Sequence, residues 1–260
     1  MASDKIQKTR LDLLLVARKL APSRTRAQAL IMAGKVVVGD ERVDKPGTRV
    51  PTDAALRVKG PDHPYVSRGG LKLAGGLDAF DIDPCGMVAL DVGASTGGFT
   101  DCLLQRGALK VFALDVGRAQ MHQKLRSDPR VKVMERFNAR HLKPEDLGEA
   151  VDLAVFDLSF ISVRLVLAPV RDCLRNDGQM VILVKPQFEV GREQVGRGGI
   201  VRDEALQRGA VDDVSAAAAD FGLVEQGRVE SPISGADGNR EWLLSLRKGG
   251  GFRRGSGLRA

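Results

Sequence analysis

Four polar residues stand at the ends of apolar runs, where an α/β chain can do chemistry. Lys72 follows Ser67-Arg68-Gly69-Gly70-Leu71, early in a segment whose helical apolar face is Leu73, Leu77 and Phe80. Asp157 closes Leu153-Ala154-Val155-Phe156, Lys185 closes Val181-Ile182-Leu183-Val184, and Glu241 opens Trp242-Leu243-Leu244. In an open α/β sheet the carboxyl ends of neighbouring strands face one crevice, so Asp157 and Lys185 are expected to meet there. A lysine steadied by a carboxylate can orient a hydroxyl nucleophile or take its proton. Taken alone, any one of these residues is equally an ordinary surface ion pair.

A glycine loop lies upstream. Asp91-Val92-Gly93-Ala94-Ser95-Thr96-Gly97-Gly98-Phe99 follows an apolar run and opens a helix. Glycines at such a turn let backbone approach a nucleoside where a side chain would clash. The spacing is GxxxGG and not the GxGxxG of a dinucleotide loop, and Asp91 sits two residues before the first glycine. Asp115 ends the next apolar run, where a carboxylate can accept hydrogen bonds from two ribose hydroxyls. Asn138 is a candidate for an adenine edge, or simply a turn former.

The elements that must position these residues alternate β-like runs with helical patterns, as in a mostly parallel sheet. Strands are expected at Met87–Val92, Val111–Asp115, Val131–Met134, Leu153–Asp157, Met180–Lys185, Leu223–Glu230 and Trp242–Leu246, the last two antiparallel. Gly191 to Gly199, with Arg192 and Arg197, reads as a mobile loop able to close over a substrate. Ahead of this region, Arg10–Leu20 and Ser23–Ala33 read as short helices, with Leu11, Leu14 and Leu15 on one face and Ala27, Leu30 and Ile31 on another. Ser23 suits an N-cap and Gly34 a C-cap, and a hairpin turns at Gly39-Asp40. The expected division is a small domain over 1–58, a linker over 59–66, the α/β domain over 67–246 and a basic disordered tail over 247–260.

Charge follows that division. Residues 1–60 hold 13 Lys and Arg against 6 Asp and Glu, a net of +7, whereas 61–246 carry a net of −5 and 247–260 a net of +5. Concentrated positive charge suggests an anion-binding head, most simply for nucleic acid. The longest stretch without charge, Val92 to Thr100, is nine residues, against about 18 for a membrane-spanning helix. The N-terminus has no apolar signal core. Three scattered cysteines and three histidines without ligand spacing suggest reduced thiols, a cytoplasmic protein and no metal.

The leading segment, with Arg10, Leu11, Asp12, Ser23, Arg24, Ala27, Ile31, Gly34, Val36 and Val38 at matching positions, resembles the alpha-L RNA-binding motif of a small-subunit ribosomal protein. That resemblance implies phosphate contacts, for which Arg10, Arg18, Lys19, Arg24, Arg26 and Lys35 are the candidates. The glycine loop is similar to methyltransferase motif I. On that likeness Asp91, Gly93, Ala94, Ser95, Thr96, Gly97, Gly98, Phe99, Asp115 and Asn138 would hold S-adenosylmethionine. The set Lys72, Asp157, Lys185 and Glu241 resembles the tetrad of cell-division-protein-J-type ribose 2′-O-methyltransferases.

Together with Ser67–Leu73, Asp157–Ser162 and Val184–Glu189, the whole order over residues 9–246 resembles the TlyA family. Those are ribosomal RNA cytidine 2′-O-methyltransferases also known as haemolysins. The implied fold is a class I S-adenosylmethionine-dependent (Rossmann-like) methyltransferase sheet with a small N-terminal RNA-binding domain. The implied catalysts are Lys185 as base or hydroxyl-orienting group, Asp157 as its partner, and Lys72 and Glu241 holding the target ribose. A base-acting lysine must be neutral at transfer, which burial and a second cation such as Lys72 would favour.

Arg68 and Phe160 are further RNA candidates, the latter by stacking on a base. A departure is the linker, Pro64-Tyr65-Val66, where family members with a cofactor-coupled linker carry tryptophan. The Asn-Pro-Pro-Tyr type of motif used on base amino groups is absent from the sequence. Rival expectations are a cytolytic protein and a non-catalytic RNA-binding regulator. A monomer acting on ribosomal RNA or ribosomal subunits is expected, and the termini favour both subunits over one.

Overall fold

The computed structural model describes residues 7–59, 63–235 and 238–249, in two compact units that divide after Pro64. The expected tail therefore lies mostly outside the described residues, except that Arg247 and Lys248 belong to the last strand.

The first unit runs β1 (Lys8–Arg10), α1 (Leu11–Ala17), α2 (Arg24–Met32), β2 (Val36–Val38), β3 (Glu41–Arg42), β4 (Arg49–Pro51) and β5 (Leu56–Val58). Leu11, Leu14 and Leu15 recur at helical spacing on α1 and meet Ala27 and Ile31 of α2 in one buried cluster with Val36 and Val50. The first helix is shorter at both ends than the apolar pattern suggests. Residues 8–10 pair with β4 instead, and Lys19 turns left-handed at φ 57°. Ser23 caps α2, its hydroxyl accepting from the Arg26 amide at 3.2 Å. The expected hairpin forms between β2 and β3, and β5 adds a third strand on the other edge of β2.

The second unit runs α3 (Gly69–Ala79), β6 (Val88–Val92), α4 (Gly98–Gln105), β7 (Lys110–Asp115), α5 (Gln123–Arg126), β8 (Val131–Glu135), α6 (Pro144–Leu147) and β9 (Val151–Phe156). It continues with α7 (Leu167–Cys173), β10 (Leu174–Val184), α8 (Pro186–Glu189), α9 (Glu204–Ala219), β11 (Leu223–Glu230) and β12 (Trp242–Lys248). The seven-stranded sheet is ordered β11-β12-β10-β9-β6-β7-β8. Its strands β10, β9, β6, β7 and β8 are parallel, and β12 runs antiparallel between β10 and β11.

Alternation along the strands supplies a core on each face. Leu90, Val92, Ala154 and Phe156 pack on the α7 and α9 side, while Ala89, Leu153 and Val155 pack with Leu73, Leu77 and Leu103 of α3 and α4. The chain leaves β6 for β7 on one side and returns to β9 on the other. That reversal opens a crevice beyond the carboxyl ends of these strands.

Candidate active site

The glycine loop turns sharply off β6. Gly93 has φ 90°, and a Cβ there would lie 2.7 Å from the Asp157 carbonyl oxygen, so a side chain would push the loop off the end of β9. Gly97, at φ 94°, caps α4 in the left-handed region. Behind the loop Asp91 has no exposed surface. One of its oxygens accepts from the Thr100 amide at 2.9 Å and from the Thr100 hydroxyl at 2.6 Å, and among the described residues Oδ1 has no hydrogen-bond partner. Burial, with repulsion from Asp157 and Asp115, pushes this carboxyl up to about 7 against the pull of Thr100.

Asp115 accepts the Ser95 amide at 2.8 Å and the Gly117 amide at 2.6 Å, which aligns the two loops around it. It borders a cleft of about 340 Å³ walled by Val116, Phe137, Asn138, Leu158 and Ile161. Apolar walls with a carboxylate at one edge suit an adenosine. Asn138 lines this cleft, yet its side-chain oxygen caps the turn at 139–141 by accepting the Arg140 amide at 3.0 Å. Neither Val116 nor Phe137 was flagged by sequence, since a strand-end apolar residue looks the same whether it faces a core or a cofactor.

A second cleft, about 440 Å³, shares Gly93, Ser95, Asp157, Ser159 and Phe160 with the first and contains all four members of the polar set. The Lys185 ammonium lies 2.6 Å from Asp157 Oδ1 and donates to Ser159 Oγ at 2.9 Å. Lys72 is ion-paired with Glu241, both almost buried. Each lysine thus has its own carboxylate. Lys72 therefore stands in the cleft as one half of an ion pair with Glu241. Ser159 was missed as a lysine partner, since nothing in its spacing from Lys185 announces a contact across two strand ends.

Phe160 is 87% exposed and held at φ 68°, a left-handed backbone that a bulky residue seldom adopts. Its ring lies 5.4 Å from that of Phe188, inclined by 53°. Phe188 and Gln187 line the same cleft, and sequence reasoning placed neither there. Arg68 is exposed at its rim. The 191–199 loop contains a short turn at Arg192–Gln194 and a Gly196–Ile200 bridge. Its far end is tied by the buried Asn239, which donates to Gly199 O at 2.9 Å and accepts from Val201 N at 3.0 Å. In the linker, Tyr65 lies against Gly70 of α3, and the Val66 amide donates to Asp101 of α4 at 2.8 Å.

In the first unit Lys19, Arg24 and Arg26 are exposed and Lys35 is half-buried. Arg10 and Arg24 both engage Asp12 at 3.0 Å. Arg18 differs from its neighbours, because its guanidinium is spent on the carbonyls of Ala54, at 2.6 Å, and Thr52. Among the described residues no group of three His, Cys, Asp or Glu could hold a metal.

Residues 65–248 match the model of the FtsJ-like methyltransferase family, and residues 9–56 match that of the S4 domain. The chain is 49% identical over 242 residues to the 16S/23S rRNA (cytidine-2′-O)-methyltransferase TlyA of Mycobacterium tuberculosis, covering 93% of this chain and 90% of that one. It is 40% identical to Hemolysin A of Brachyspira hyodysenteriae, covering 90% and 98%. A solved structure from Streptococcus thermophilus that carries a hemolysin designation superposes with a TM-score of 0.74 at 44% identity, covering 94% and 90%.

Proposed function

The chain belongs to the FtsJ-like methyltransferase family with an S4 domain ahead of it, and from that membership we propose that it methylates the ribose 2′-hydroxyl of a cytidine in ribosomal RNA, using S-adenosylmethionine. The observation that carries the chemistry is Lys185, held between Asp157 and Ser159 where the two clefts meet.

When bound, S-adenosylmethionine supplies a methyl group on a positively charged sulfur. The residues present fit it. The glycine loop lines the cleft, Asp115 suits ribose hydroxyls, the apolar walls suit adenine, and Asp115 and Asp157, which both border that cleft, favour a cation there. Asn138 would offer its amide nitrogen to the base, its oxygen being used in the turn.

Lys185 is ion-paired with Asp157 and donates a hydrogen bond to Ser159, which holds the ammonium and leaves it donor capacity for the incoming hydroxyl. The ammonium orients that hydroxyl by donating to its oxygen; only as the neutral amine, its own proton first released to solvent, does Lys185 take the hydroxyl proton as the oxygen gains the methyl. Lys72 and Glu241, braced on each other, hold the ribose. Phe160 stacks on the target base, with Phe188 behind its ring. Arg68 and the exposed cations of the first unit bind phosphate.

The S4 domain and the curated relative make RNA the substrate class, and both subunits are the preferred substrates. A cytoplasmic monomer completes the proposal. No helix among the described residues is long and apolar enough to cross a membrane, and no feature of the cleft calls for the lytic activity that the hemolysin designation of some relatives suggests.

Mass-spectrometric mapping of ribose methylation on 16S and 23S rRNA, from cells with and without the gene, tests the proposal. A cytidine 2′-O-methyl mark should vanish with the gene and return with the wild-type chain but not with Lys185→Ala. An unchanged methylation map refutes it.

A further inference from the structure

Asp12 has no exposed surface, although it lies in the most cationic part of the chain. Five donors converge on its carboxylate. Arg10 grips both oxygens through Nε and Nη2 at 3.0 Å each, Arg24 Nε lies at 3.0 Å, Gln28 Nε2 at 2.9 Å and the Leu13 amide at 3.0 Å. The Arg10 guanidinium also lies close to Gly47, where an added Cβ would sit 3.5 Å from its Nη1. Both arginines remain accessible, their side chains 41% and 54% exposed. Among the described residues, Arg10 Nη1 and both terminal nitrogens of Arg24 have no partner.

A negative charge set beneath an RNA-binding face costs attraction to phosphate. Two guanidinium groups around one carboxylate leave a net of +1, where the arginines alone would carry +2. A free arginine, however, must lose about 2 kcal/mol of rotamer freedom when a phosphate fixes it. Asp12 removes that freedom before RNA arrives, and the Nε edges it occupies leave the terminal edges that match phosphate oxygens.

We propose that Asp12 is a positioning residue for RNA capture, holding Arg10 and Arg24 as a pre-ordered phosphate fork. This rests on the RNA-binding role proposed above for the two arginines.

The two ideas behind Asp12 have opposite signs in a binding experiment. Charge counting says that Asp12→Asn tightens RNA binding, whereas pre-ordering says that it weakens it. The test is the affinity of full-length protein for deproteinised 23S rRNA at several salt concentrations, with thermal melts on the same samples. Arg10→Ala and Arg24→Ala should each weaken binding and lower the salt slope by about one. If neither does, the RNA-binding role of this face fails. With those effects present, Asp12→Asn should weaken binding by about three- to tenfold, with a slope at least as steep as wild type. Equal or tighter binding by Asp12→Asn overturns the positioning proposal alone.

Should that variant fail to fold, Asp12→Glu decides. It keeps the charge count and both guanidinium groups but shifts the carboxylate away from the seat that fixes them, so weaker binding at an unchanged slope supports the fork and wild-type affinity overturns it.

Discussion

Two aspartates without exposed surface, one in each unit, sit in opposite electrical surroundings. Asp12 is ringed by two guanidinium groups and an amide, and the hydrogen bond from Arg10 holds it well below the usual carboxylate range. Asp91 has only Thr100 for company and sees Asp157 and Asp115 nearby, so burial and like charge push it up to about 7. One carboxylate has its cations already, and the other is buried behind the glycine loop near two further carboxylates. The lesson is that burial alone does not set the state of a carboxyl; the charges it is buried with decide. The N-terminal unit buries an anion among cations, while the methyltransferase unit buries one among anions.

The sharpest break in this contrast concerns Lys185, which belongs to chemistry and not to capture. Lys185→Ala should lower methyl transfer by at least about 100-fold while RNA affinity stays within about twofold of wild type. Transfer of labelled methyl and a binding titration on one preparation check both. A loss of affinity as large as the loss of rate would dissolve the division between the units.

The next effect is in stability. A carboxyl raised in the folded state stabilises fully below its unfolded value and loses that contribution as pH rises through its folded value. Asp91 should therefore make the wild type less stable between pH 3.8 and about 7 as pH rises, by a few kcal/mol in order of magnitude. Asp91→Asn should flatten that slope, and S-adenosylmethionine should raise the wild-type Tm more at pH 8 than at pH 6. Asp12 carries the opposite sign. Its contribution is present above 3.8 and fades as pH falls further, so Asp12→Asn should remove part of the acid sensitivity. Melts of wild type and both variants across pH 2 to 8, read as differences from wild type, would show the two contributions changing in opposite directions.

A smaller effect separates base recognition from phosphate capture. Phe160→Ala should weaken productive RNA binding by about tenfold, the order expected for one lost stacking contact, and by more than it weakens S-adenosylmethionine binding. An unchanged KM for RNA would leave the exposed, left-handed Phe160 without a function. The smallest effect is at Arg18. Arg18→Ala should cost about 1 kcal/mol of stability through lost bonds to two carbonyls and leave the salt dependence of RNA binding alone. A flatter salt slope would return Arg18 to the phosphate-binding group.

Much of the architecture was legible because it rests on local rules. Strand alternation at Leu153–Phe156, the helical spacing of Leu11, Leu14 and Leu15, and the glycines of the 93–98 loop each express a backbone preference within a few residues. Helix ends were less legible. Whether residues 8–10 begin α1 or join a sheet depends on β4, some 40 residues away. The polar set was visible as residue types at strand ends, but its pairing was not.

What the sequence determined by itself was the inventory: a glycine loop after a strand, acidic strand ends, four polar residues at the crevice, and a cationic head. What only the tertiary structure decided was which charge meets which. Lys72 pairs with a carboxylate 169 positions away, Lys185 with one 28 residues earlier, and Asp12 gathers Arg24 and Gln28 from the next helix. The physical reason is range. Backbone propensities act over one or two turns of chain, whereas charge interactions act through space and wait on the order of the strands and the packing of the helices.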